Sequence, residues 1–332
     1  MELYTKVTHS PAAFHLSHAD SILLLGSCFA EHIGRRLEEN KFKVELNPFG
    51  TLYNPASVAS AIRRLIRPER YTAADLFDRD GVYHSFSHHS RFSCVSAEET
   101  LAQINNRLEQ AAEELRHTTR AVVTFGSAYV YRLKTTGQVV ANCHQLPDEL
   151  FVRERLSVEA IVEEWTALLY ALWEHNAKLK LWFTVSPIRH WKDGAHGNQL
   201  SKATLLLAVD RLQQLFPEQL SYFPAYEILM DELRDYRFYA EDMLHPSAQA
   251  IDYIWERFAA DSLSEEAKTI LNIWKEIQKA IRHKPFQPES EAYKRFIHQT
   301  LLKMEQLHQK FPYFDLRNEE LALRARIMNY EL

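Results

Sequence analysis

The chain has 332 residues, 46% of them hydrophobic and 25% charged, with a formal net charge of −5 at pH 7, the balance of a globular protein with a sizeable core. That charge makes no electrostatic case for binding nucleic acid or an anionic membrane surface. Three cysteines, Cys28, Cys94 and Cys143, rule out a disulfide framework and leave at least one free thiol.

Residues 1–20 read as a polar lead-in with room for an edge strand. They have neither the basic start nor the apolar run of a signal peptide. No stretch of about 18 apolar residues marks a transmembrane helix, so a reduced, cytoplasmic protein is expected. With 8 glycines and no G-x-G-x-x-G or G-x-x-x-x-G-K string, a nucleotide-phosphate loop is not expected.

Residues 22–25 are apolar and run into Gly26, the pattern of a buried parallel strand. Beyond Ser27 and Cys28, the residues Phe29, Ala30, Ile33, Gly34 and Leu37 fall at helical spacing. The stretch is strand, tight turn, helix. Ser27 and Cys28 occupy the turn, where open α/β sheets bind ligands and where a helix N-terminus favours a thiolate or an oxyanion.

Residues 41–46 alternate as a second strand and end in the breakers Asn47-Pro48-Phe49-Gly50. Asn54-Pro55 opens a helix over 56–66. Residues 68–96 read as an irregular insertion with a small hairpin at Asp80-Gly81, and 97–115 as an acidic amphipathic helix. Residues 121–125 form the next buried strand, ending at Gly126. A hairpin over 129–133 and 138–142 delivers Asn142, Cys143 and His144. A helix over 157–176, a strand over 179–185, a polar loop over 188–197, a helix over 201–216 and a strand over 220–226 follow. A short helix spans 227–233, and Ser247 caps a helix reaching about residue 260. Strands alternating with helices argue for a doubly wound α/β sheet. From residue 261 the strand signals stop and three helices follow, over 264–281, over 290–310 and after Asn318. The expected division is an α/β domain at 1–260 and a helical extension at 261–332. The extension's apolar residues are too many for free helices and are expected to bury on the core or in a homodimer.

Asp242 and His245 stand three apart before a proline-marked helix start. Imidazole suits general-base work near neutral pH, and a carboxylate on its other nitrogen would fix the tautomer. By spacing alone the pair reads first as a surface aspartate and a helix-capping histidine, and the resemblance described below reverses that preference. Arg189 and His190, with Asn198, Ser201 and Lys202, leave a buried strand at its carboxyl end and would line the same rim. They could meet an anionic or hydroxyl-rich ligand, or form an exposed polar loop. His144 is a second candidate acid or base. The run His84, His88, His89 lacks a zinc pattern and reads as a solvated loop. Glu227, Asp231, Glu232 and Asp235 read as a solvated acidic helix face.

Gly-Ser-Cys-Phe-Ala at 26–30 resembles the signature of the GSCFA-domain proteins, a branch similar to the SGNH (GDSL-type) hydrolases. The resemblance continues at 142–144, 186–190 and 242–246 and covers roughly residues 20 to 260. It implies an SGNH-like three-layer α/β/α sandwich with a mainly parallel sheet. It also implies a nucleophile on the first turn with Asp242 and His245 completing a triad. Aligned on Gly26, the hydrolases' serine position holds Cys28, and Ser27 stands where they carry aspartate. The nucleophile is therefore Cys28 or Ser27, and Cys28 could instead be a packed structural cysteine. Oxyanion donors implied by the resemblance are the backbone at Cys28, the backbone of Gly50 and the amide of Asn142, with Gly126 also close by. The activity implied is hydrolysis of a small-molecule or carbohydrate ester, with no cofactor and no metal. Acyl transfer to a glycan, and a catalytically silent glycan-binding protein, are the alternatives.

Overall fold

The structure is a computed structural model that describes residues 4–8 and 10–328. Its organising element is β1 (Ser21–Gly26), buried along its whole length and followed at once by α1 (Cys28–Glu39). The chain continues through β2 (Lys43–Leu46), α2 (Pro55–Ile66), β3 (Leu76–Arg79), β4 (Val82–Ser85), α3 (Ala97–His117) and β5 (Arg120–Phe125). Then come β6 (Tyr129–Leu133), β7 (Val139–Val140), β8 (Phe151–Arg155), α4 (Val158–His175), β9 (Lys180–Val185), α5 (Gly194–Leu215) and β10 (Leu220–Phe223). A single turn, α6 (Ala225–Glu227), precedes α7 (Ala248–Ser262), and α8 (Glu265–Arg282), α9 (Glu291–Lys310) and α10 (Arg317–Met328) complete the chain.

Five strands pair in parallel in the order β10-β9-β5-β1-β2. Alternation along each strand splits the apolar residues between two faces. Leu23, Leu25, Val123, Phe125 and Phe183 pack with α2, α3, α4 and α5 on one face, while Ile22, Leu24, Val122 and Trp182 pack with α1 and α7 on the other. The result is the expected α/β/α sandwich. The strand order reverses between β1 and β5, which opens a crevice at their carboxyl ends.

Local chemistry accounts for most boundaries. The Asn54 side chain accepts the Ser57 N–H at 2.8 Å with Pro55 in the first helical position, and Ser157 and Ser247 cap α4 and α7 in the same way. The hairpin β3–β4 turns at Asp80-Gly81 as expected.

Four expectations change. The described part of the lead-in forms no strand: Phe14 and Leu16 are buried, and Leu16 exchanges backbone hydrogen bonds with Ser262 and Ser264. Residues 1–3 and 9 lie outside the described residues. The expected hairpin gains a third strand, β8, which pairs with β6 and makes a small antiparallel sheet. Helix α5 starts at Gly194, well before residue 201, and its first turns are held despite two helix-weakening glycines by Asn198 Oδ1 accepting the His190 N–H at 2.9 Å and Ser201 Oγ accepting the Ala128 N–H at 2.8 Å. The acidic face is solvated at Asp231 and Asp235 but not at Glu232, whose buried carboxylate accepts from Tyr253 Oη at 2.6 Å and Val7 N–H at 2.6 Å and pairs with Arg257.

Among the described residues, no helix is long and apolar enough to cross a membrane. The three C-terminal helices build their own apolar cluster around Ile270, Trp274, Ile297, Met304 and Phe314. They seat on the α/β domain where Trp274 Nε1 and Gln278 Nε2 both donate to Glu39 O, at 3.0 and 2.9 Å, at the end of α1.

Candidate active site

The turn after β1 is shaped by a close approach. Gly26 has φ +134°, and a Cβ there would stand 2.1 Å from Thr124 O on β5, so no other residue fits without displacing the neighbouring strand. Ser27, 1% exposed, is the N-cap of α1, and its Oγ accepts the Phe29 N–H at 3.3 Å. Cys28 is the first helical residue and is half-buried. Among the described residues no acceptor takes its backbone N–H. Its Sγ lies 3.5 Å from Tyr53 Oη. Tyr53 is pinned in turn, because its carbonyl accepts the N–H groups of Gly126 at 2.7 Å and Ser127 at 2.9 Å. Burial, then the hydrogen bond to Cys28, raise the phenol far above its ordinary pKa, so it keeps its proton and can donate toward the sulfur.

The loop before α7 folds around a carboxylate. Asp242 Oδ1 accepts the N–H groups of Leu244 and His245, each at 2.9 Å, and its Oδ2 stands 2.5 Å from His245 Nδ1, placed to accept its N–H. Those two amides, the His245 one first, and then the imidazole pull the carboxyl down to about 2, so it is ionised at any physiological pH. With Nδ1 engaged, the nitrogen left to act is Nε2. The loop is braced by the Arg189 N–H donating to Leu244 O at 3.4 Å and the Ala240 N–H donating to His245 O at 2.7 Å.

Cys28 and His245 line one cleft of about 610 Å³, together with Tyr53, Asn54 and Asn142, a size suited to a small-molecule ligand. The far wall is the small antiparallel sheet, where the Arg153 guanidinium lies over the rings of Tyr129 and Tyr131 at 4.3 and 5.3 Å and pairs with Asp193. The remaining side is the chain after β9. There the His190 N–H donates to Asn198 Oδ1 at 2.9 Å, and its ring meets Tyr53 edge-on at 5.7 Å. Burial, then the charge of Lys202, push His190 down to about 4, so it is neutral, and its buried Nε2 has no partner among the described residues.

Ser27, Cys28, Asn142, Arg189, His190 and His245 thus share the cleft. Asp242, Gly50, Gly126 and His144 are not among its lining residues, nor are Asn198, Ser201 and Lys202 of the expected rim, which are buried in α5. The Gly50 N–H is spent on Asn47 O at 2.8 Å, and the Gly126 N–H on Tyr53 O, so neither amide is free for an oxyanion. His144 is buried outside the cleft, with Nε2 2.9 Å from Ser85 O, and burial lowers it to about 4. Lys202 is not on the rim but fully buried beneath it. Its Nζ donates to Gly126 O and Ser186 O, each at 2.7 Å, tying β5 to β9, and burial lowers its pKa to about 7. His88 is likewise no solvated loop residue: it is 2% exposed and stacks on Phe49 at 5.1 Å. Tyr53, Asn54, Tyr129, Tyr131 and Arg153 were not foreseen in the cleft. The only sequence signal for them was the alternation that puts Tyr129 and Tyr131 on one face of a strand.

Compared with known families, residues 21–258 match the model described as the GSCFA family, and residues 274–329 match the model described as the GSCFA domain protein, C-terminal domain. The first match ends inside α7 and the second lies within the helical extension. No curated protein matches the chain.

Proposed function

The chain belongs to the GSCFA family, and we propose that its cleft hydrolyses a small-molecule or carbohydrate ester, with Cys28 as nucleophile, His245 as general base and Asp242 as the group that orients it. One observation carries this reading. The first residue of a helix at the sheet's switch point, and a histidine whose Nδ1 is fixed by a carboxylate, open onto the same cleft. This is the arrangement the resemblance to SGNH hydrolases leads one to expect, with sulfur in place of the hydroxyl. Cys28 is preferred to Ser27 because the serine Oγ is buried and committed to capping α1.

The proposed cycle balances in two steps. His245 Nε2 takes the thiol proton as Sγ bonds to the ester carbonyl carbon, and the carbonyl electrons move onto oxygen. The oxyanion is met by the free Cys28 N–H and by Asn142 Nδ2, the donor left when Asn142 Oδ1 accepts the His144 N–H at 2.8 Å. Collapse breaks the carbon–oxygen bond, and His245 returns the proton to the departing alcohol, leaving a thioester on Cys28. Water then attacks with His245 again as base, which releases the acid and restores the thiol. An acyl acceptor in place of that water would make the same site a transferase.

The test is a panel of acyl esters turned over by wild type, Cys28→Ala and His245→Ala. Activity abolished in Cys28→Ala and lowered by roughly 10²–10⁴ in His245→Ala is expected. If both variants match wild type on every ester turned over, the triad is refuted. If wild type turns over none, a binding protein remains.

A further inference from the structure

Most charged side chains of the cleft are neutralised within it. Arg153 pairs with Asp193, Lys192 Nζ lies 3.3 Å from Asp148 Oδ2, and Asp242 holds His245. Arg189 is the exception. It is half-buried, and among the described residues its guanidinium makes no hydrogen bond and no ion pair. Its side chain lies over the Trp191 ring at 4.6 Å, and Tyr226 and Tyr239 are close enough to feel its charge. A planar cation stacked on an indole keeps its hydrogen-bonding edge available, in the fork geometry that fits a carboxylate or phosphate. None of its nitrogens is buried without a partner, so those donors face the solvent of the cleft and stand open to a ligand anion. The backbone N–H of Arg189 is bonded to the carbonyl of Leu244, next to His245, so this charge is held beside the proposed reacting centre.

We propose that Arg189 is an anion subsite, and that the ester this cleft takes carries an oxyanion substituent near its scissile bond. The inference rests on the hydrolase reading for the word ester, but not for the anion. A neutral acyl chain would leave the guanidinium without a counter-charge. An anionic one would complete the pattern in which the other cations of the cleft, Arg153 and Lys192, already have their carboxylates.

The experiment compares the 4-nitrophenyl hemiester of succinate with its methyl-capped neutral counterpart, and reads the ratio of the two kcat/KM values. Wild type should favour the hemiester. Arg189→Gln should lower that ratio roughly 10- to 100-fold, as expected for loss of a charge-assisted hydrogen-bond pair, and Arg189→Lys should recover part of it. Calorimetric titration with succinate, and separately with inorganic phosphate, reads the subsite without turnover and shows which oxyanion it prefers. Binding of either anion by wild type that is lost in Arg189→Gln supports the subsite. A ratio near one in wild type, or one unmoved by Arg189→Gln, overturns the anion subsite and leaves ester hydrolysis standing. Turnover of neither ester would count against the hydrolase reading instead, and the subsite would then be decided by the titrations, where failure of both anions to bind overturns it.

Discussion

At the scale of single residues, burial sets which histidines can do chemistry. His88, His144 and His190 are driven down to about 3, 4 and 4, in each case chiefly by desolvation. His245 is half-exposed and carboxylate-bound. The buried three have folded pKa values below the unfolded value of about 6.5. They are neutral in the fold, while the unfolded chain takes up protons first. Their contribution to stability is therefore complete above about pH 6.5 and is lost as pH falls toward 4. Denaturant midpoints should drop between pH 7 and pH 5 in wild type. They should drop less in His88→Gln, which keeps a polar partner for Ser85 Oγ, 3.0 Å from His88 Nδ1, but cannot titrate. Equal slopes in the two proteins would contradict this account of His88.

At the scale of elements, the turn from β1 into α1 separates structure from chemistry at adjacent positions. Ser27 caps and Cys28 faces the cleft. Ser27→Ala should cost about 1 kcal/mol of stability, the usual worth of a lost N-cap, measured by denaturant unfolding, and should keep measurable ester turnover. A stable but inactive Ser27→Ala would move the nucleophile to Ser27. Elements such as this one were legible in the sequence because their signals are local: an apolar run stopped by glycine, a serine or asparagine cap, a first-turn proline. What was not legible depends on partners distant in the chain. Nothing near Lys202 in sequence says that its ammonium will bridge the carbonyls of Gly126 and Ser186. Nothing around Gly194 says that the loop will already be helical there. Gly50 and Gly126 looked like free turn amides until Asn47 and Tyr53 were brought against them. Of the candidate site, the two local motifs at Cys28 and at Asp242–His245 were readable, while the walls contributed by Tyr53, Tyr129, Tyr131 and Arg153 were not.

At the scale of the whole molecule, the helical extension is part of the fold's support. Its own cluster is joined to the α/β domain through Trp274 and Gln278 on Glu39 O, an ion pair of Lys41 with Glu319 at 2.5 Å, and Phe314 against His18 at 5.1 Å. These contacts converge on the far end of α1, the helix whose first residue is Cys28. A chain ended at Ala260 loses them, together with buried Leu263 and Ala267. It should unfold at lower denaturant or aggregate, and an equally stable, monomeric product would contradict this. The sheet topology also brings Cys28 and His245, far apart in sequence, to one cleft, while Cys94 lies outside its lining and burial raises the Cys143 thiol to about 11. The most direct measurement of the central claim is therefore the alkylation rate of each cysteine by iodoacetamide near neutral pH, followed by peptide mass mapping in wild type and His245→Ala. Because the thiolate is the reactive form, Cys28 should react fastest of the three and should slow when His245 is removed. Cys28 reacting no faster than Cys94, or at the same rate without His245, would contradict the account.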